Sequence, residues 1–360
     1  MTIKDNEVAP DSFTANSANE TRVIKTSIEG DPALGPLALL PGTWSNLRDA
    51  SDEHNPSVNP LTGRGWNIIA LPFHRSAGGP PYRLLMNQYN ETLKFDFIDD
   101  DVPNRGIDLS IPANTDQKVA ALDYTQHIHQ ISAEDDAGTE LAGNAGDDIH
   151  HEPGFFLHMK EQTIQGFNIA RLATIPHGNA VNAIGKAKEI IGPPSIPPLS
   201  ALPVGATTFD IKDEVSQARA GSYLTPYKHY ADVPFQGRLA GSGFPGFSPI
   251  DANALLNLGL NGFKDKVIKT TELVLDTDLM EAGIVNIPFI ERQADAAFMR
   301  STFWIMELDE EGPLGNPRLI MAYSQFISLD FFPRRDGRPG LIQWPHISIN
   351  MMEKVALPSG

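Results

Sequence analysis

A grammar of extended segments runs through almost the whole chain and leaves few folds open to it. Runs rich in β-branched and aromatic residues occupy Trp66–Phe73, Tyr82–Tyr89, Leu93–Ile98, Val119–Ile131, Phe155–Lys160, Ile169–Ile175, Ala180–Ile190, Thr270–Leu275, Gly283–Phe289, Ala297–Leu308, Arg318–Phe332 and Leu341–Met352. Clusters of Gly, Pro, Asn and Asp separate them, the residues that tight turns demand. Thr302, Trp304 and Met306 alternate with Phe303, Ile305 and Glu307, as in a long curved strand with one face turned inward. Parallel strands would need helical crossovers, which are missing between most of these runs. The pattern predicts a mostly β protein, an antiparallel barrel of about ten strands.

One interval breaks the grammar. Gly192-Pro193-Pro194-Ser195-Ile196-Pro197-Pro198 opens a stretch, 191–265, that reads as a Pro-rich, partly helical insertion covering one mouth of the barrel. Asp251 is placed to cap a helix over Ala252–Leu260, with Ala254, Leu255 and Leu258 as its apolar stripe and Gly259 and Gly262 at its end. The interval holds too few apolar residues for a core of its own, so 36–360 is read as a single barrel domain. Residues 1–35 lack periodicity and read as a flexible N-terminal arm.

Charge and residue usage exclude whole classes of function. Against 28 Lys and Arg stand 45 Asp and Glu, a formal charge of −17 that repels phosphate backbones and anionic lipid surfaces. Nucleic acid is therefore not an expected partner. The 360 residues include no cysteine, so thiolate catalysis, disulfides and thiolate-held metals are impossible. No basic, apolar leader and no membrane-length apolar run is present, which predicts a cytoplasmic protein without membrane insertion. Gly241-Ser242-Gly243-Phe244-Pro245-Gly246 has the letters of a dinucleotide fingerprint, but it follows no strand and places a proline where the helix should open.

Among the ten histidines, His127 and His129 stand two apart on a predicted strand and so share a face, the way a sheet aims two imidazoles at one metal. The same face could equally be solvated. His150, His151 and Glu152 sit in a polar connection that reads as a surface turn, with an inward His151 or His158 as the alternative. His177, between Pro176 and Gly178, marks a strand end at the barrel rim. On the last run Trp344, His346, Ser348 and Asn350 occupy one face, and Gln343, Pro345, Ile347, Ile349 and Met351 the other. If the aliphatic face packs on the insertion or on another subunit, His346 lines the lumen, where a neutral imidazole suits iron. A histidine simply packed beside a tryptophan is the plainer alternative.

Two of these features together resemble a known family. The Pro41-Gly42-Thr43-Trp44 opening and the last-strand His346 are similar to the nitrobindins, heme barrels of the fatty-acid-binding-protein-like, calycin type. Ile175-Pro176-His177-Gly178, Phe303-Trp304-Ile305 and Tyr323-Ser324-Gln325 resemble strand segments of larger bacterial relatives described as heme-binding or fatty-acid-binding-like. The resemblance implies a calycin-like barrel holding heme b through His346. His177, His129 or His127 would be distal or hydrogen-bonding groups, Trp344 would lie beside the cofactor, and Arg300 could reach a propionate or a peroxide oxygen. NO or peroxide chemistry would follow from an open iron position. Two rival readings remain: a non-enzymatic carrier of fatty acid or another lipophilic small molecule, and a cofactor-free or histidine-metal enzyme using His127, His129 or His158. Barrels of this kind often pair through an outer sheet face, making a homodimer the expected assembly.

Overall fold

The computed structural model describes residues 26–46, 64–75, 78–108, 113–136, 142–160, 165–208, 210–217, 222–239, 243–279 and 281–358. Its strands are β1 (Gly42–Ser45), β2 (Gly65–Pro72), β3 (Tyr82–Asp108), β4 (Ala113–Asp135), β5 (Asp148–Met159), β6 (Ile169–Ile175), β7 (Asn179–Ile191), β8 (Val267–Asp276), β9 (Gly283–Asn286), β10 (Asp295–Leu308), β11 (Arg318–Pro333) and β12 (Leu341–Ala356). Between β7 and β8 lie α1 (Ile211–Gln217), α2 (Thr225–Asp232) and α3 (Ala254–Leu260); α4 (Pro288–Gln293) follows β9.

Ten strands, β2 to β8 and β10 to β12, form a closed antiparallel barrel. The ring closes where β12 meets β2 through Ile347 with Ile68, Ser348 with Asn67 and Ile349 with Trp66. Further along the same gap β1 takes over, pairing Trp44 with Lys354 of β12 and with Leu93 of β3. β9 pairs with the part of β7 that lies beyond β8.

The alternation read from the sequence divides the apolar residues into two bodies. Inward-facing Trp44, Leu93, Phe95, Leu122, Phe156 and Phe303 fill one half of the barrel. Leu34 and Leu37, on a 3-10 turn at Pro32–Leu37, close that end, so this part of the segment expected to be a loose arm is packed; 1–25 lies outside the described residues. Outward-facing Trp66, Ile68, Met86, Ala322, Ile347 and Ile349 meet Tyr227, Phe247, Leu255 and Leu256 of the insertion. The insertion thus covers an outer wall rather than a mouth, because that wall is aliphatic and aromatic and would otherwise lie bare. Asp251 does not cap α3; its Oδ1 accepts from Leu199 N at 3.0 Å, and Asn253 ties the helix start to the barrel by accepting from Ser324 Oγ at 2.8 Å.

The expected strands at Tyr82–Tyr89 and Leu93–Ile98 are one strand of 27 residues. The polar break between them persists as strand interior because Glu91 finds hydrogen-bond donors inside the barrel. Among the described residues no helix is long and apolar enough to cross a membrane.

Trp44 is fully buried and donates from Nε1 to Leu40 O at 2.8 Å, joining the plug to the closing seam. Trp44→Ala is expected to lower unfolding free energy by about 3–5 kcal/mol in urea titration. Ile191→Ala, at a residue 87% exposed, should change it by less than about 0.5 kcal/mol.

Candidate functional site

Along the barrel axis the inward positions change from apolar to polar and back to apolar. Beyond the plug lies a layer of buried polar side chains, and beyond that layer a cavity of about 400 Å³. Its aliphatic walls include Ile69, Leu71, Leu85, Ile128, Val181 and Ile327, with Ile284 and Ile290 contributed by β9 and α4. A volume of this order is that of a small-molecule site.

The polar layer is built by residues two apart on neighbouring strands. Glu91 accepts from Gln126 Nε2 at 2.7 Å, Tyr323 OH at 2.7 Å and Asn350 Nδ2 at 2.8 Å. Burial pushes its pKa up, against the pull of those hydrogen bonds. Glu152 is bound to Arg171 Nη2 and to Tyr124 OH by short contacts and lies 3.2 Å from His150 Nε2. Burial alone would raise the Glu152 pKa; the Arg171 guanidinium, followed by His150 and Tyr124, holds it instead at about 2. Arg171 also donates from Nη1 to Gln325 Oε1 at 2.7 Å and lies over the rings of Tyr124, Phe156 and Phe303. An ionised Glu152 can only accept, so the contact with His150 is a hydrogen bond donated from Nε2.

Three imidazoles, His150, His177 and His346, line the cavity itself. His346 receives a hydrogen bond at Nε2 from Asn67 Nδ2 at 2.7 Å, and the same amide donates to Ser348 Oγ at 3.1 Å. The closing seam makes this cluster, since Asn67 and Ser348 are register partners there. Burial, with His150 and His177 nearby, pushes the His346 pKa down to about 3, so the ring is neutral. Burial and His150 also lower the pKa of His177, whose ring lies 6.1 Å from that of His150. Asn67 Oδ1 is buried with no hydrogen-bond partner among the described residues.

His346 and His177 are thus brought together as the sequence suggested, and the aliphatic face of β12 does pack on the insertion. Other expected site residues are not in the cavity. Trp344 stacks on Phe331 at 4.8 Å and meets Tyr82 at 4.5 Å in the aromatic cluster beneath the insertion. It lies before the three residues of β12 that pair with β2, so no β2 residue is paired with it. Arg300 lies on the outer face of β10, 64% exposed and paired with Asp276 at 2.6 Å, so it reaches nothing in the lumen. His127 and His129 point outward, while Gln126, Ile128 and Gln130 between and beside them line the cavity. His158 faces inward at the plugged end, where its Nδ1 is 2.7 Å from Ala33 O.

His150, read as part of a surface turn, belongs to β5 and faces the cavity. The spacing of His150 and Glu152 carried the signal, as did a lone Arg171 within the apolar run Ile169–Ile175. Asn67 gave no such signal, since its role depends on a partner 279 positions away.

No family model and no curated protein matches the chain. Among solved structures, that of Rv2717c from M. tuberculosis aligns over 90% of this chain and 97% of its own, at 12% identity and a TM-score of 0.33.

Two outcomes follow from the site's electrostatics. Below its unfolded value of 6.5 the unfolded chain protonates His346, whereas the folded ring stays neutral down to about 3. Stability should therefore fall with acid across that window, by at most about 1.4 kcal/mol per pH unit from this residue. His346→Gln should remove that part of the slope in urea titrations from pH 7 to 4. Arg171→Met, which leaves Glu152 buried without its cation, should cost about 3–5 kcal/mol, and Arg300→Met less than about 1 kcal/mol.

Proposed function

We propose that the barrel is a binder of a largely apolar small molecule held in the lumen, and that heme b is the ligand its chemistry suits best. The observation that carries this reading is the cavity's composition: aliphatic walls around imidazoles, one of which, His346, is kept neutral by burial. A neutral imidazole among apolar walls is the donor that porphyrin iron takes. His346 would hold the iron, His177 and His150 would be the hydrogen-bonding groups in the same cavity, and the polar layer a floor that keeps the ligand out of the plug. When bound, the iron would supply NO or peroxide chemistry. The chain's own contribution is to exclude water, to hold His346 unprotonated and to orient His150 through Glu152.

One observation favours the second reading, a carrier of a lipophilic molecule without a metal. His346 Nε2 already accepts from Asn67, and a carrier needs no free nitrogen. No lysine or arginine lines the cavity among the described residues, so a carried molecule's neutral polar end would be met by Tyr89, Tyr323 or a histidine, whereas the propionates of a heme would find no cation there and would have to project out of the cavity. A metal enzyme working inside the lumen through His127 and His129 has no support, because both face outward.

Adding hemin to the purified chain and recording absorption tests the first reading. A Soret band is expected that shifts on adding dithionite and NO and is lost in His346→Ala. Asn67→Ala, which releases Nε2, should tighten hemin uptake. A flat spectrum in both the wild type and Asn67→Ala would sink the heme reading, and mass spectrometry of solvent extracts would then identify a carried ligand.

A further inference from the structure

The outer face of the β4–β5 hairpin holds a second group of histidines that the lumen does not use. His127 and His151 are register partners on the two strands, both exposed, with ring centroids 4.4 Å apart and their Nδ1 atoms separated by 3.3 Å. His129 stands two residues further along the same face of β4, its Nδ1 paired with Asp148 of β5 by a short contact.

We infer that this face binds a divalent transition-metal ion, zinc or copper(II), with His127 and His151 as its two imidazole ligands. The separation of the two nitrogens is the deciding quantity. Ligands at about 2.0–2.1 Å from a tetrahedral zinc stand roughly 3.3–3.4 Å from one another, so the pair already has the spacing of two vertices. A hydrogen bond between the rings is the competing account, but between exposed groups it contributes little against the rotamer entropy of holding both. A metal uses both lone pairs at once.

The surroundings favour a cation. The chain carries a formal charge of −17, and Asp148 adds a carboxylate beside the pair. Among the described residues no group of three such donors is arranged to hold a metal, so this is a two-imidazole chelate whose remaining positions go to water. It spans two strands, so occupancy should also raise the hairpin's resistance to unfolding.

Calorimetric titration of the full chain with zinc chloride at neutral pH tests the inference. One equivalent is expected to bind, at least about tenfold more weakly in His127→Ala and in His151→Ala, since losing a ligand should cost no less than losing one of its outer hydrogen bonds. Both positions are exposed, so circular dichroism should show the same fold in all variants. Zinc binding should survive in His346→Ala, which separates this site from the lumen, and in His229→Ala, an exposed histidine elsewhere. Copper(II) electron paramagnetic resonance should show nitrogen coupling in the wild type that weakens in either hairpin variant. No zinc uptake, or uptake equally strong in His127→Ala and His151→Ala, would overturn the assignment and leave the pair as a hydrogen bond only.

Discussion

Closure of the sheet at a seam shared by two short strands governs much of the rest of the molecule. An open sheet of this length would leave a row of unpaired N–H and C=O groups at each edge, and every such group, once buried, costs about 1–3 kcal/mol. Here β2 and β1 lie in turn along the same gap between β12 and β3. The three register pairs with β2 place Asn67 beside His346 and Ser348. The pairs with β1 place Trp44 in the plug. One end of the seam therefore builds the cavity's polar corner, and the other fills the barrel.

Between the two ends, the buried polar layer decides what the lumen can be. Glu152 and Arg171 neutralise one another and satisfy Tyr124 and Gln325, whereas Glu91 has hydrogen-bond donors but no cation in contact among the described residues. A layer so closely bonded is costly to break, because any member left alone would be a buried polar group without a partner. It separates a filled half from an open half and gives the open half a fixed floor. It also orients His150 through a carboxylate that stays ionised.

Much of this architecture was legible because side-chain alternation is a local property. The two faces of β12 could be read from Ile347, Ile349 and Met351 against His346, Ser348 and Asn350, and the barrel itself from long runs without crossovers. What depended on distant partners was not. Nothing near Glu91 says that Gln126, Tyr323 and Asn350 will meet it, so β3 read as two strands. The mixed polarity of 150–152 reads as a turn until the pairing with β4 gives it a strand's alternation. Trp344 followed the parity of His346 in sequence but not in space, since its ring joined Phe331 and Tyr82. Arg300, expected to reach a propionate or a peroxide oxygen, is held outside by Asp276, its register partner.

If binding happens inside the lumen, filling that space must abolish it. Ile327 lines the cavity wall, and Ile327→Trp would place an indole in its roughly 400 Å³ while leaving the strand pairing unchanged. Affinity for hemin and for a neutral lipophilic fluorophore should be measured for this variant and the wild type at matched far-ultraviolet circular dichroism. The folded variant should lose uptake of whichever molecule the wild type binds. Undiminished uptake by a correctly folded Ile327→Trp would contradict binding in the lumen, placing the ligand somewhere other than the barrel's interior.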